Sequence, residues 1–381
     1  MLKQTALPRS VVRAVDRLTF TFKGLDKKLV DRSKVLRQIM FAMVTRQHIL
    51  LEGPPGTAKS YLAKCVFGAI PGSNDFHIQC TKKMTEDSIV GPPNVEVLRR
   101  EGRMVHNTEG TLVRADFGFL DEVMDLSSGA LRSLLEILNE RTFSRGAQKE
   151  YSPLHTAIAT TNFNRDDEEE LEAVLDRFLF RSVIKPLTTT DQRREMLLAS
   201  GNTEPVPTTH FKDVIKLHEA MKKVIVPNKV LDLYLAIVGR LGLTDRRVVQ
   251  TLDVVRASAL LSKRSTACIP DVAALGTCCL IEGNTASTKK FAKAMEHYSI
   301  ATEARDKSIA LTTLSYRAAE LHQLAEVAQS YPHIEAVAKE ARDALAAIAS
   351  LSATNEEAGD LKVVLNKILS TADELYAAEA T

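Results

Sequence analysis

His48-Ile-Leu-Leu-Glu52 runs directly into Gly53-Pro54-Pro55-Gly56-Thr57-Ala58-Lys59-Ser60, and the amphipathic Tyr61–Phe67 follows. A short apolar strand, a glycine-containing loop and a helix start, in that order, make a cradle of backbone N–H groups for a phosphate. In such a cradle Lys59 stands against the terminal phosphates, and the Ser60 hydroxyl helps to hold Mg²⁺. Ala58 occupies a position where the strict pattern has glycine. A helical φ/ψ there would let its Cβ fit without strain. Taken alone, the run also fits a plain Gly-Pro turn between strand and helix, with Lys59 a surface charge.

A second stretch changes that balance. Ala115-Asp-Phe-Gly-Phe-Leu-Asp121-Glu122 is an apolar strand ending in two acids, and Asp121 lies 62 residues beyond Lys59, room for one intervening strand. Acids at the carboxyl edge of a parallel sheet face the crevice where ligands bind. Asp121 suits the Mg²⁺ shell, and Glu122 suits a general base for the attacking water. A third buried run, Leu154-His-Thr-Ala-Ile-Ala-Thr-Thr-Asn162, ends in an amide that would position the water or sense a γ-phosphate. By itself Asn162 fits a helix cap or turn equally well.

These runs belong to an alternating pattern. Strands are expected at His48–Glu52, Phe76–Cys80, Phe117–Asp121, His155–Thr161 and Ser182–Lys185, each separated by helical sequence, which is the layout of a five-stranded parallel α/β sheet. Residues 1–187 form that section. Residues 188–284 read as helix, with Pro227 and Pro270 at helix starts or loops. Residues 285–381 carry apolar positions at three- and four-residue spacing, such as Leu311, Leu314, Ala318 and Leu321, then Val337, Ala341, Leu345 and Ile348. Two or three antiparallel helices are expected there, broken near Tyr331-Pro332 and Asn355–Gly359.

Composition narrows the rest. The chain has 381 residues, 45% hydrophobic and 26% charged, with a formal charge of +2. No whole-molecule field points to nucleic acid or an acidic membrane. Five scattered cysteines without Cys-x-x-Cys spacing read as reduced thiols. With no signal-like or membrane-spanning apolar run, a cytoplasmic protein is expected.

From Leu25 to Ile281 the chain resembles the AAA+ ATPases, and in detail the MoxR group with its RavA-like branch (regulatory ATPase variant A). The resemblance is carried by Leu29-Val-Asp-Arg-Ser, Gly-Pro-Pro-Gly-x-Ala-Lys-Ser and Ser88-Ile-Val-Gly-Pro92. It continues through Phe119-Leu-Asp-Glu-Val, Leu134-Leu-Glu-Ile-Leu-Asn-Glu-Arg-Thr-Phe143, Leu175-Asp-Arg-Phe-Leu179 and Thr244-Asp-Arg-Arg247. It implies an AAA+ P-loop core, an all-helical lid and a C-terminal helical region, in a hexameric ring that hydrolyses ATP with Mg²⁺. Gly53, Pro54, Pro55, Gly56, Thr57, Ala58, Lys59, Ser60 and Tyr61 are the implied nucleotide contacts. Arg177 resembles an arginine finger directed at a neighbour, and a salt bridge to a nearby acid is its ordinary alternative. Arg246 resembles a lid sensor reaching the nucleotide, with Arg247 as the alternative register. The segment Gly102–Thr111 matches a pore hairpin, and hydrolysis is expected to rotate the lid against the core.

Three uses remain open on this reading: remodelling of a protein client, a nucleic-acid motor, and a nucleotide-gated scaffold with little turnover. The resemblance favours the first, with a von Willebrand factor A domain protein as the expected kind of partner. No membrane partner is expected, and near-neutral charge disfavours nucleic acid. The acidic Asp166–Glu170 suits the start of a helix near Leu171, and residues beyond Ala286 are either a docking element or a brace.

Overall fold

The computed structural model describes residues 6–146, 148–162, 174–201, 204–280, 288–295, 331–350 and 356–379, with Ala318, Leu321 and Ala325. The acidic run at 166–170 lies outside them. The chain divides into two compact units, Met1–Tyr298 and Ser299–Thr381.

In the first unit, α1 (Arg9–Lys28) and α2 (Ser33–Thr45) precede β1 (Ile49–Glu52), and α3 (Lys59–Gly68) leads to β2 (Asp75–Gln79). Two short helices, α4 (Asp87–Val90) and α5 (Val95–Glu101), come before β3 (Phe117–Asp121) and α6 (Ser128–Glu140). A hairpin of β4 (Thr142–Arg145) and β5 (Gln148–Tyr151) is followed by β6 (Thr156–Thr161) and β7 (Phe180–Val183). Four longer helices then follow: α7 (Thr190–Ser200), α8 (Phe211–Lys222), α9 (Asn228–Leu241) and α10 (Asp245–Leu261).

The five-stranded sheet has the order β2-β3-β6-β1-β7, and every pairing is parallel. The expected strands are all present, with ends shifted by a residue or two. Their apolar runs follow from burial on both faces. Ile49 and Leu51 join the core under α1, α2 and α3, while Leu50 joins the opposite core under α6. This is the two-residue alternation of a strand. Helix α6 is held to its face by Ala130, Leu134, Ile137 and Leu138, and the Ser127 hydroxyl caps it by accepting from Ala130 N. Glu52, the last residue of β1, is buried and accepts from Arg181 Nε at 2.7 Å, so the sheet edge beneath the loop is tied across to β7.

The expected hairpin at Gly102–Thr111 is not there. Val95–Glu101 is helical, Gly102 ends that helix at φ 65°, and the following residues share only a single bridge, Pro93 to His106, before a turn at Leu112–Arg114. The antiparallel hairpin is β4–β5, paired from Thr142 opposite Tyr151 to Arg145 opposite Gln148. Gly146 sits in its turn at φ 57° and Phe143 is its buried anchor.

Pro227 precedes α9 and Thr244 caps α10 by accepting from Arg247 N. These helices do not form a separate core. Phe211, Leu217, Ile237, Val254 and Leu260 belong to the same buried cluster as Leu18, Ile39, Ile49 and Phe117. In the second unit, α11 (Tyr331–Ser350) and α12 (Glu356–Glu379) pack through Ile334, Ala338, Ala341, Leu365, Ile368 and Ala372, with Leu321 in the same cluster. Helix α11 starts at Tyr331 and α12 at Glu356, each at an expected break, while the residues just before each start lie outside the described ones. Among the described residues no helix is long and apolar enough to cross a membrane.

Candidate active site

The loop between β1 and α3 owes its shape to four residues. Gly53 has φ 157°, and a Cβ there would lie 2.3 Å from the Ile184 carbonyl oxygen. Gly56 has φ 80° and faces open space. The Thr57 hydroxyl donates to the Pro54 carbonyl at 2.8 Å. Ala58, the residue before α3, has φ 63° and ψ 29°. The condition for an unstrained Cβ is therefore not met: the methyl sits in the left-handed region, at about 1–2 kcal/mol. Pro54, Pro55 and Gly56 are exposed, and Tyr61 is 49% exposed on the first turn of α3.

Lys59 is buried, and its Nζ donates to Gly53 O at 2.6 Å, Pro54 O at 3.2 Å and Asn162 Oδ1 at 2.8 Å. Burial lowers the ammonium pKa, against the opposing pull of Glu122 and Asp121. The Ser60 hydroxyl donates to Asp121 Oδ2 at 3.0 Å. Glu122 follows with φ 55°, and its Oε2 accepts from Asn162 N at 3.0 Å. Burial raises the Glu122 pKa, while the Asn162 N–H and Lys59 restrain the rise. Thus Lys59, Ser60, Asp121, Glu122 and Asn162, drawn from three separate stretches, lie in one hydrogen-bonded group at the carboxyl edge of β1, β3 and β6.

Sequence reasoning missed Thr160. Its hydroxyl accepts from Glu122 N at 3.0 Å and donates to Asp121 Oδ1 at 2.5 Å. A signal was present, since threonine two residues before Asn162 in a buried strand must find partners for its hydroxyl.

The donor set fits a nucleotide with Mg²⁺. Gly53 and Gly56 leave room for a close approach to the loop backbone, the Lys59 hydrogen bonds among the described residues go to uncharged oxygens, and Ser60 with Asp121 offers the hard oxygen ligands that Mg²⁺ takes.

The three predicted arginines lie elsewhere. Phe178, just after Arg177, precedes β7, and Phe180 N donates to His48 O at the amino end of β1. Arg177 and Arg247 both pair with Asp176, at 3.1 and 3.0 Å, while Arg246 Nη2 donates to Asn139 Oδ1 at 2.6 Å. Arg246, or Arg247 in the alternative register, was expected to reach the nucleotide from the lid. Arg246 lies beside His48 and Asn139, at the opposite end of β1 from Lys59, where α10 packs on α2 and α8. Arg177 has its salt bridge, as the ordinary alternative held.

Around that edge is a polar cavity of about 190 Å³ lined by Arg46, Arg141, Arg177, Arg246, His48 and Asn139, among others. Arg46 Nε, Arg141 Nη1 and Arg177 Nε are buried there without a hydrogen-bond partner among the described residues. Burial first, then the charge of Arg46, pulls the Arg141 pKa down to about 9. Arg46 and Arg141 were not singled out in the sequence; each follows a helix with φ 55°, where no periodicity marks a side chain.

The sheet order, the loop between β1 and α3 and the helices on both faces define an α/β P-loop fold of the AAA+ class. A solved structure from Cytophaga hutchinsonii, named "putative ATPase", superposes with a TM-score of 0.55 at 18% identity, covering 71% of this chain and 87% of that one. Residues 16–224 match the family described as "MoxR domain in the MoxR-vWA-beta-propeller ternary systems", and the chain belongs to that MoxR family. The uncharacterized protein MJ0079 of Methanocaldococcus jannaschii is 29% identical over 253 residues, 65% of this chain and 66% of that protein. Chaperone MoxR1 of Mycobacterium tuberculosis is 27% identical over 246 residues, 61% of this chain and 63% of that protein. The chain therefore spans just under two thirds of the length of these curated relatives.

Proposed function

We propose that the chain hydrolyses ATP. The observation that carries this reading is the single hydrogen-bonded group of Lys59, Ser60, Asp121, Glu122 and Asn162 beside a glycine-bearing loop. Lys59 and the backbone N–H groups from Gly56 to Ser60 bind the phosphates. Ser60 and Asp121 would hold Mg²⁺, which when bound would neutralise phosphate charge. Glu122 accepts a proton from the attacking water, and Asn162 orients both Glu122 and Lys59. The experiment is Glu122→Gln: ATP binding retained with turnover lost supports hydrolysis, and unchanged turnover sinks it.

The cluster at the amino edge supports a ring. Three buried guanidinium N–H groups without partners among the described residues would suit an anion brought by a neighbour. Arg177 and Arg246, too far along β1 to serve their own site, would meet a neighbour's phosphates. Hexameric closure and membership of the RavA-like branch belong to this proposal.

For its use we propose remodelling of a protein client. Support comes from the family's description, which includes a vWA component, and from a relative that bears the name chaperone. We keep the division into a core at 1–187, a lid at 188–284 and a helical region at 285–381, the last docking the partner. Removing residues from Ala286 onward should leave turnover and abolish client capture; retained capture refutes the docking role.

A further inference from the structure

Thr160 is the next-to-last residue of β6, the strand between β3 and β1. Its side chain is wholly buried. The proton arrangement on its hydroxyl is determined: Glu122 N–H can only donate, so Oγ1 accepts there, and the hydroxyl proton goes to the Asp121 carboxylate. The other Asp121 oxygen takes the Ser60 hydroxyl. One buried hydroxyl thus fixes both the carboxylate plane of Asp121 and the backbone of Glu122.

That backbone needs a restraint. At φ 55° Glu122 occupies a region that non-glycine residues rarely adopt, and there the chain turns out of β3. The turn sends Asp121 toward Ser60 and Glu122 toward the Asn162 amide. We infer that Thr160 is a positioning residue for hydrolysis, acting through Asp121 and Glu122 by setting the angle between them. This rests on the proposed ATPase reading.

Valine has the same shape but would leave the Glu122 N–H and the Asp121 carboxylate each short of a partner. Serine keeps the hydroxyl, and alanine removes it with no replacement methyl. The test uses the full chain as wild type, Thr160→Val, Thr160→Ala and Thr160→Ser. It reads phosphate release from MgATP, binding of fluorescent ADP without Mg²⁺, and hydrogen exchange at the Glu122 amide without metal or nucleotide.

Thr160→Val should lower kcat about 10- to 100-fold while ADP affinity stays within about threefold, because a displaced reacting group affects turnover more than ground-state binding. Protection of the Glu122 amide should be lost, and Thr160→Ser should recover both turnover and protection. Turnover within about twofold of wild type in the valine or alanine variant overturns the inference. So does parallel loss of ADP binding, or failure of both variants to fold, since either makes Thr160 a purely structural residue. A wild-type chain without turnover would instead sink the hydrolysis reading, which separates the two failures.

Discussion

Lys59 Nζ and Asn162 Oδ1 are joined by a hydrogen bond of 2.8 Å across 103 residues of sequence. The backbone N–H of the same asparagine donates to Glu122 Oε2. Asn162 therefore links the proposed phosphate-binding lysine to the candidate base, and its side chain and main chain serve different partners.

Asn162→Ala removes only the side-chain half of that link. Turnover should fall about 10- to 100-fold with nucleotide affinity nearly unchanged. Parallel titrations of ADP binding and steady-state phosphate release will show it; equal losses in both would assign Asn162 to binding alone.

Ala58→Gly should stabilise the first unit. The left-handed backbone at φ 63° penalises a Cβ, and glycine removes that penalty at some entropic cost. A net gain of about 1 kcal/mol, or about 2–4 °C in melting temperature, is expected. A lower melting temperature would mean that the methyl makes contacts outweighing the strain.

Acid should destabilise the protein through buried histidines. His155 donates from Nε2 to Met43 O at 2.7 Å, and burial pushes its pKa from 6.5 down to about 3. Below about pH 6.5 the unfolded chain binds a proton that the folded chain refuses, so stability falls as pH drops from there toward about 3. His48 and His218 shift the same way, again chiefly by burial. His155→Gln keeps a donor for Met43 and should flatten the decline. Urea midpoints at several pH values between neutral and acid measure the slope, and an unchanged slope would clear His155.

Mixing two inactive chains tests the shared site. Arg177→Ala retains Glu122, and Glu122→Gln retains Arg177, so mixed assemblies contain some junctions with both. Turnover should reappear on mixing, highest near equal proportions. Silence at every ratio would count against phosphate contacts from a neighbour.

Much of this was legible because strands buried on both faces leave unbroken apolar runs, as at Ile49–Leu51 and Phe117–Leu120. A loop that must bend around glycine also announces itself at Gly53 and Gly56. The hairpin was misplaced because Val95–Glu101 and the residues after it share a mixed polar composition, and only Gly146 with buried Phe143 marks the real turn. The end of the sheet at which Arg246 lies was not legible for a different reason. Spacing within α10 says nothing about which edge of the sheet that helix lies against, a choice made by its packing with α2 and α8. Thr160 stayed hidden because a hydroxyl's partners belong to tertiary structure.

The helical section was expected to swing against the sheet, yet Phe211 of α8 packs edge-on against Phe117 of β3, with ring centroids 5.1 Å apart. Leu217, Ile237, Val254 and Leu260 are interleaved with α1, α2 and the strands. Uncovering half a dozen such side chains, at roughly 1.5–3 kcal/mol each, would cancel the about 5–15 kcal/mol that holds a typical domain together. A lid motion that gaped at that seam would expose them, so the proposed rotation must keep these side chains covered. The core beneath the candidate site thus continues into the helices beside it, and sliding of packed side chains is the motion such a seam permits.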